Sequence, residues 1–309
     1  MLRLSKNTPL RFISAQPATD YYAWQVEVYI NNFIRNGYTG IDVVSGFQNK
    51  IPESWARLVE RYGNVVNFHF YEDTMGNVKY IPAIQAHILK KHFEENPNDG
   101  AFFFHDADFI FTRHLDFSPY LKDDNWYFSN TISYIGHDYI VSKGEEVLDA
   151  MCGVVGIDKS IVKANQLGSG GAQKLMKGLT SQYWDKVERD GIMLYDTMVK
   201  MQHVKREGDP YGIQAWTASM WAELWNGWLS GRNVVVPREF DFCWATCPIE
   251  RWDDMYFFHN AGVPNTNQGM FYKAAYSDRV PYTDDLDLSD QRCSYRYYQE
   301  MKSVDSCLL

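Results

Sequence analysis

Cysteine is scarce: Cys152, Cys243, Cys247, Cys293 and Cys307 are five in 309 residues, too few and too scattered for a disulfide framework. The odd count suits a reducing compartment. The Cys243-x3-Cys247 pair has no second pair or histidine beside it to complete a zinc set, so it reads as packing thiols. Positive charge is also short. Thirty Lys and Arg against 39 Asp and Glu leave a net charge of −9. This disfavours a nucleic-acid partner, because neutralising many phosphates takes a basic surplus. Long apolar runs are missing too. The longest stretch without Asp, Glu, Lys or Arg, residues 255–272, holds Pro264, Asn260, Asn265 and Asn267 and does not read as a membrane span. The opening MLRLSKNTPL has no apolar core of signal-peptide length. The expectation is a soluble, cytoplasmic protein, in the host cytoplasm if the chain is viral. There is no internal repeat, low-complexity tract or long linker, and no G-x-S-x-G, H-E-x-x-H or P-loop motif.

What is present is an ordinary globular composition, 45% hydrophobic and 22% charged, enriched in aromatics at 16%. Residues 10–15 read as a strand that ends at Gln16-Pro17, and Thr19 or Asp20 caps a helix over 21–36, stopped by Gly37. Further strands are expected at 41–45, 65–71 and 101–105, with helices over 53–62 and 81–93 between them. This alternation is the signature of βαβ units and a mixed, mostly parallel sheet flanked by helices, an α/β fold. The stretch Ala101-Phe102-Phe103-Phe104 is apolar throughout, as a strand covered on both faces should be. The rhythm then breaks. A strand is expected at 126–135, helices at 145–155 and about 174–201, and a Trp-rich helix from Asp209-Pro210 to about residue 229. Late strands follow at 234–236 and 256–258, and the tail from Asp278 is polar, acidic and aromatic. One domain, 1–309, with a more helical second half is the economical reading.

The sharpest local feature is FFFHDADFIF, residues 102–111. An apolar strand runs straight into Asp106-Ala107-Asp108, and ligands of open α/β sheets bind at the carboxyl ends of strands. Two carboxylates one residue apart can share a hard divalent cation and leave positions open for phosphate oxygens. Such a cation would neutralise a leaving diphosphate. The plainer alternative is a polar turn. Asp285-x-Asp287 repeats the spacing without a buried strand before it and reads as a solvated turn.

With these residues in hand, the chain resembles the GT-A glycosyltransferases, which move a sugar from a nucleotide-sugar. The resemblance covers roughly residues 11–262. It rests on the first strand and its loop (Arg11 to Gln16), the helix 79–93, Asp106-Ala107-Asp108, and Phe258-His259-Asn260-Ala261-Gly262 as a C-terminal H-x-x-G element. The run Gly168-Ser169-Gly170-Gly171-Ala172-Gln173 and the Trp216 to Trp225 stretch echo the hydroxyproline arabinosyltransferase and serine galactosyltransferase group and related viral or bacterial enzymes.

The resemblance implies a GT-A, Rossmann-like fold, with a nucleotide-binding half over about 10–110, an acceptor half over about 111–262 and a tail over 263–309. It implies a nucleotide-sugar donor, a UDP-sugar, on Mn²⁺ or Mg²⁺, and transfer to a hydroxyl acceptor on a glycan, a protein or modified DNA, with retention. Asp106, Asp108 and His259 would hold the metal. Ser14, Ala15, Gln16 and Lys79 would contact the nucleotide, with Tyr21 and Tyr22 stacking on its base. Gly170 and Gly171 would let backbone approach the donor sugar, with Gln173 at the sugar or its anomeric region. Asp209 would be an acceptor carboxylate, in competition with Asp196 and Glu223; an N-cap before Pro210 is its structural alternative. The Trp216, Trp221, Trp225 and Trp228 spacing suggests a packed helical stripe. Competing functions are a viral DNA glycosyltransferase acting on hydroxymethylated bases, a sugar-phosphate nucleotidyltransferase, which would need a basic Gly-rich first loop, and a non-catalytic glycan-binding protein.

Overall fold

A computed structural model describes residues 10–76, 78–202 and 211–309. In chain order its strands and helices begin with β1 (Leu10–Pro17), α1 (Asp20–Arg35), β2 (Ile41–Phe47), α2 (Glu53–Tyr62) and β3 (Val66–Glu72). Then come α3 (Ile84–Glu95), β4 (Ala101–His105), β5 (Phe109–Phe111), β6 (Trp126–Asn130), α4 (Ile132–Ile135), α5 (His137–Lys143), α6 (Glu145–Val155) and α7 (Lys159–Ala164). The remainder is β7 (Gly170–Lys177), α8 (Ser181–Met201), α9 (Ala218–Leu229), β8 (Val234–Val235), β9 (Phe242–Trp244), α10 (Arg251–Asp254), β10 (Phe257–His259) and α11 (Cys293–Lys302). No helix among the described residues is long and apolar enough to cross a membrane, and the five cysteines form no disulfide.

The chain divides into two compact units. One comprises Leu10–Glu72, Phe103–Phe117 and Glu239–Leu309. Its large sheet runs β3-β2-β1 and reaches the last residues of β4. Both β1 with β2 and β2 with β3 pair in parallel, as the alternating sequence requires. A smaller sheet has the order β5-β10-β9, with β10 antiparallel to β5 and parallel to β9. The core is aromatic. Phe12, Phe33, Phe103, Phe109, Phe111 and Phe257 are all buried, and their rings meet mostly edge-on or tilted, for example Phe33 with Phe111 at 4.8 Å. Each such ring removed from water stabilises the unit by roughly 1.5–3 kcal/mol. The polar tail packs into this unit. Tyr297 and Met301 of α11 are buried, and the wholly buried Glu27 of α1 accepts hydrogen bonds from Ser306 Oγ (2.6 Å) and the Cys307 amide (2.8 Å).

The other unit includes Asp73–Phe102 and Ser118–Arg238. Its strands run β7-β6-β8 beside the first residues of β4, with β6 antiparallel to β7 and parallel to β8. Helix α8 packs against α3 and α9.

Here several expectations are corrected. The segment 174–201 is not one helix: β7 occupies 170–177, and α8 begins only after Thr180, whose side chain accepts from the Tyr183 amide as a cap. Strand β6 stops at Asn130 and a helical turn follows. Lys79 precedes the helix it was assigned to; Ile81–Ala83 form a 3₁₀ turn with Pro82 near its start, and α3 begins at Ile84. Trp221, Trp225 and Trp228 are buried on α9 as the stripe requires, whereas Trp216 lies ahead of the helix and is exposed. Glu223, one of the competing acceptor carboxylates, is buried in an ion pair with Lys174.

Candidate functional site

Strand β4 delivers its carboxyl end to a tight turn. The Phe109 amide donates to the Asp106 carbonyl at 3.2 Å and starts β5, so Asp106, Ala107 and Asp108 form the whole connection. His105 Nδ1 stands 2.9 Å from the same carbonyl and must therefore carry the proton. Strand β10 runs antiparallel to β5 with His259 opposite Phe109, and the Asn260 amide donates to the Asp108 carbonyl at 3.0 Å. The register sets His259 beside the turn. Trp244 of β9, the parallel neighbour of His259, stacks on its ring at 5.3 Å.

The result is a cluster. His259 Nε2 lies 3.4 Å from Asp106 Oδ2 and 3.3 Å from Asp108 Oδ1. One ligand atom from each of the three groups lies within 4.8 Å of the others. Asp108 is buried and Asp106 is about half exposed, so the cluster opens to solvent on the Asp106 side. Lys273 adds its ammonium to Asp108 Oδ2. Burial by itself would raise the Asp108 carboxyl; the charges of Lys273 and His259 outweigh it and hold the group below the usual carboxylate range. Burial lowers His259, but the carboxylates of Asp108 and Asp106 more than reverse this and raise it. Lys273 is raised in the same way, its burial outweighed by Asp108. His105, buried among Tyr29, Phe33 and Phe109, is pushed down to about 4 by burial.

The residues expected to contact the donor divide between the units. Tyr21 and Tyr22, at the start of α1, meet edge to face at 5.0 Å and lie within electrostatic reach of Asp108. Burial raises both phenols, Tyr22 to about 12. Ser14, Ala15 and Gln16 are within β1 rather than in a loop, because the strand continues to Pro17. Ser14 is wholly buried and shares a 2.7 Å hydrogen bond with the Tyr29 hydroxyl, and Gln16 Nε2 donates to Val44 O and Ser45 Oγ, each at 3.1 Å. Only Ala15 of the three is half-buried.

Lys79, Gly170, Gly171 and Gln173 belong to the other unit. Lys79 is exposed. Gln173 is wholly buried, with its Oε1 accepting from Ser129 Oγ at 2.8 Å. A Cβ on Gly170 would stand 2.5 Å from Phe128 Cβ, and one on Gly171 would stand 2.3 Å from Met220 Cε. At Gly170 a side chain would also meet the Ser129 carbonyl at 2.8 Å, so the packing there requires glycine, whereas Met220 has a flexible end. Asp209 lies outside the described residues, and Asp196 is exposed on α8.

Lys273 was missed. It stands in Phe271-Tyr272-Lys273-Ala274-Ala275, which has no motif or periodicity to mark it. Its place follows from the packing of the tail on α1, where Trp24 Nε1 donates to the Tyr276 carbonyl at 3.2 Å.

No family model matches the chain, and no curated protein matches it. Solved structures do. The apo structure of WbbM, a bifunctional glycosyltransferase, matches over 98% of this chain at a TM-score of 0.52 and 10% identity; the chain spans about half, 51%, of the WbbM chain. The galactosyltransferase LgtC, in complex with donor and acceptor sugar analogues, matches over 96% of both chains at 14% identity and a TM-score of 0.48. The glycosyltransferase GlyE of Streptococcus pneumoniae TIGR4 matches over 95% of this chain and 60% of its own at 8% identity and a TM-score of 0.44. The likeness is one of fold: this chain has the mixed α/β architecture of a glycosyltransferase, of the GT-A type that its motifs resemble.

Proposed function

We propose that the protein is a metal-dependent glycosyltransferase that moves a sugar from a nucleoside-diphosphate sugar, a UDP-sugar, to a hydroxyl acceptor on a glycan or a protein. The observation that carries this reading is the Asp106, Asp108 and His259 cluster at the ends of β4 and β10. Two carboxylate oxygens and one imidazole nitrogen at this spacing suit a small divalent cation, and the imidazole favours Mn²⁺ over Mg²⁺. When bound, such a cation supplies Lewis-acid neutralisation of the leaving diphosphate.

The chain's own residues supply the rest. Asp108, buried and gripped from two sides, fixes the position of the charge. Asp106, about half exposed, faces the side from which a donor would arrive. Trp244 restrains the His259 ring by stacking, so less orientational freedom is lost on binding. Lys273 adds a second positive charge where negative charge develops on the leaving group, stabilisation that is strongest in a water-poor site. Tyr21 and Tyr22 offer flat faces for the base, next to the carboxyl end of β1 at Ala15 and Gln16. Lys79, Gly170, Gly171 and Gln173 stay as proposed donor contacts, with Asp209 as the proposed acceptor carboxylate.

A panel of nucleotide-sugars with Mn²⁺, scored for slow donor hydrolysis, tests the reading without knowledge of the acceptor. The expected result is hydrolysis of one class of UDP-sugar that stops when the metal is chelated. Equal hydrolysis in chelator, or none from any donor, counts against it. The anomer released, followed by NMR, tests the retention that the resemblance implies.

A further inference from the structure

The two oxygens of Asp108 are divided between different partners. Oδ1 faces His259 Nε2 at 3.3 Å, while Oδ2 is ion-paired with the Lys273 ammonium. That ammonium is not on a swinging surface side chain. Lys273 begins a 3₁₀ turn, Lys273–Tyr276, and is itself only 28% exposed. The turn is anchored on both sides. The Phe271 amide donates to Ser294 Oγ at 2.7 Å, and the Tyr276 carbonyl accepts from Trp24 Nε1 at 3.2 Å. Further along, the Tyr282 hydroxyl donates to the Trp24 carbonyl at 3.1 Å. Arg279 lies over the Tyr276 ring at 4.5 Å and pairs with Asp284, which also accepts from the Tyr276 hydroxyl at 3.0 Å. The segment's backbone is thus anchored where the Lys273 side chain places a positive charge at the cluster's buried carboxylate.

A divalent cation held by Asp106, Asp108 and His259 would meet that charge at close range. Like charges a few ångströms apart in a poorly solvated site repel strongly and are little screened by salt. The cation must compete with the ammonium for Asp108. A diphosphate at the open side attracts both positive charges and removes the conflict.

We infer that Lys273 makes metal binding conditional on the donor's diphosphate: the metal alone binds weakly, and metal and diphosphate bind as a coupled pair. This rests on the metal-dependent reading above. Because coupling is reciprocal, the diphosphate also binds weakly without metal. Such an arrangement reserves the loaded site for the complex that can react.

The test is titration of the full chain with Mn²⁺, followed by electron paramagnetic resonance of the unbound ion, with and without UDP. Wild type, Lys273→Met and Asp108→Asn are compared. Lys273→Met should bind Mn²⁺ alone on the order of tenfold more tightly than wild type, a size ordinary for coupled sites. UDP should tighten Mn²⁺ binding severalfold more in wild type than in Lys273→Met, and Asp108→Asn should lose Mn²⁺ binding. Lys273→Gln keeps length and a donor without the charge; it carries the same comparison if the Met variant melts early. Equal Mn²⁺ affinity in wild type and the Lys273 variants without UDP overturns the inference and leaves the metal reading standing. An equal gain from UDP in all of them also overturns it. Absence of Mn²⁺ binding in every chain, with UDP present, overturns the metal reading and this inference together.

Discussion

His259 Nε2 lies 3.3 Å from Asp108 Oδ1 because β10 and β5 pair in a register that sets His259 against Phe109, one residue past that aspartate. Strand pairing therefore brings His259 to the cluster, while the turn between β4 and β5 supplies the two carboxylates. Asp108→Asn and His259→Ala should each lower sugar transfer by ~100-fold or more, since several kcal/mol of leaving-group stabilisation is at stake. Both should weaken Mn²⁺ and UDP together. Circular dichroism and thermal melts should show a folded chain, because β5 and β10 keep their backbone ladder. Unchanged Mn²⁺ dependence in His259→Ala would remove that residue from the metal set.

Tyr21 and Tyr22 give the second prediction. They meet at 5.0 Å at the start of α1 and sense the charge of Asp108. If one of them carries the base, Tyr21→Ala or Tyr22→Ala should weaken UDP by roughly tenfold, the size of a lost base stack. The same variant should leave inorganic diphosphate binding nearly unchanged. Wild-type UDP affinity in both variants, measured by calorimetry, would place the base elsewhere.

Much of this site was legible because local patterns and tertiary placement agree. Ala101 to Phe104 reads as a covered strand, and the step to Asp106-Ala107-Asp108 marks its carboxyl end. Phe257-Phe258 does the same for His259. The parallel pairing of β1, β2 and β3 follows from the alternation of strand and helix patterns. Where the two levels part, the sequence misleads. Gly170 and Gly171 carry the composition of a loop, but they lie in strand β7, where Phe128 Cβ and the Ser129 carbonyl crowd Gly170. Ala172 in that strand has φ 57°, and the β6–β7 register shifts at Phe128 and Ser129, features no propensity scale anticipates. Lys273 and Glu223 are charged residues whose partners lie far along the chain, Asp108 and Lys174, so spacing gives no sign of either pair.

His105 yields a prediction in pH. It is 1% exposed, donates Nδ1–H to the Asp106 carbonyl, and its protonation is pushed down to about 4 by burial. Between that value and the ordinary histidine range near ~6.5, the unfolded chain binds a proton that the folded chain refuses. Stability must then fall as pH is lowered through this window and be fully present above it, a swing on the order of 3 kcal/mol for this group. Urea unfolding of wild type and His105→Phe at a series of pH values isolates the term, since the carboxylates titrate in both. The variant should lose less stability between pH ~6.5 and ~4; parallel curves would mean that His105 does not resist protonation.

Lys174 and Glu223 are buried together, with side chains 6% and 3% exposed, and join β7 to α9. The Tyr183 hydroxyl donates to the Glu223 carbonyl at 2.8 Å, so the helix end of the pair is fixed by a bond that side-chain changes leave alone. Taking two charges out of water costs about what their attraction returns, so the pair is a poor source of net stability. Breaking it is another matter. Lys174→Met leaves a buried carboxylate and Glu223→Leu leaves a buried ammonium, and each should cost ~3–5 kcal/mol in urea unfolding. The double variant, which puts apolar groups of similar volume on both sides, should recover most of that loss, giving a large favourable coupling in a double-mutant cycle. Single variants that each lose under ~1 kcal/mol would show that water reaches the site and that the charges are not dry.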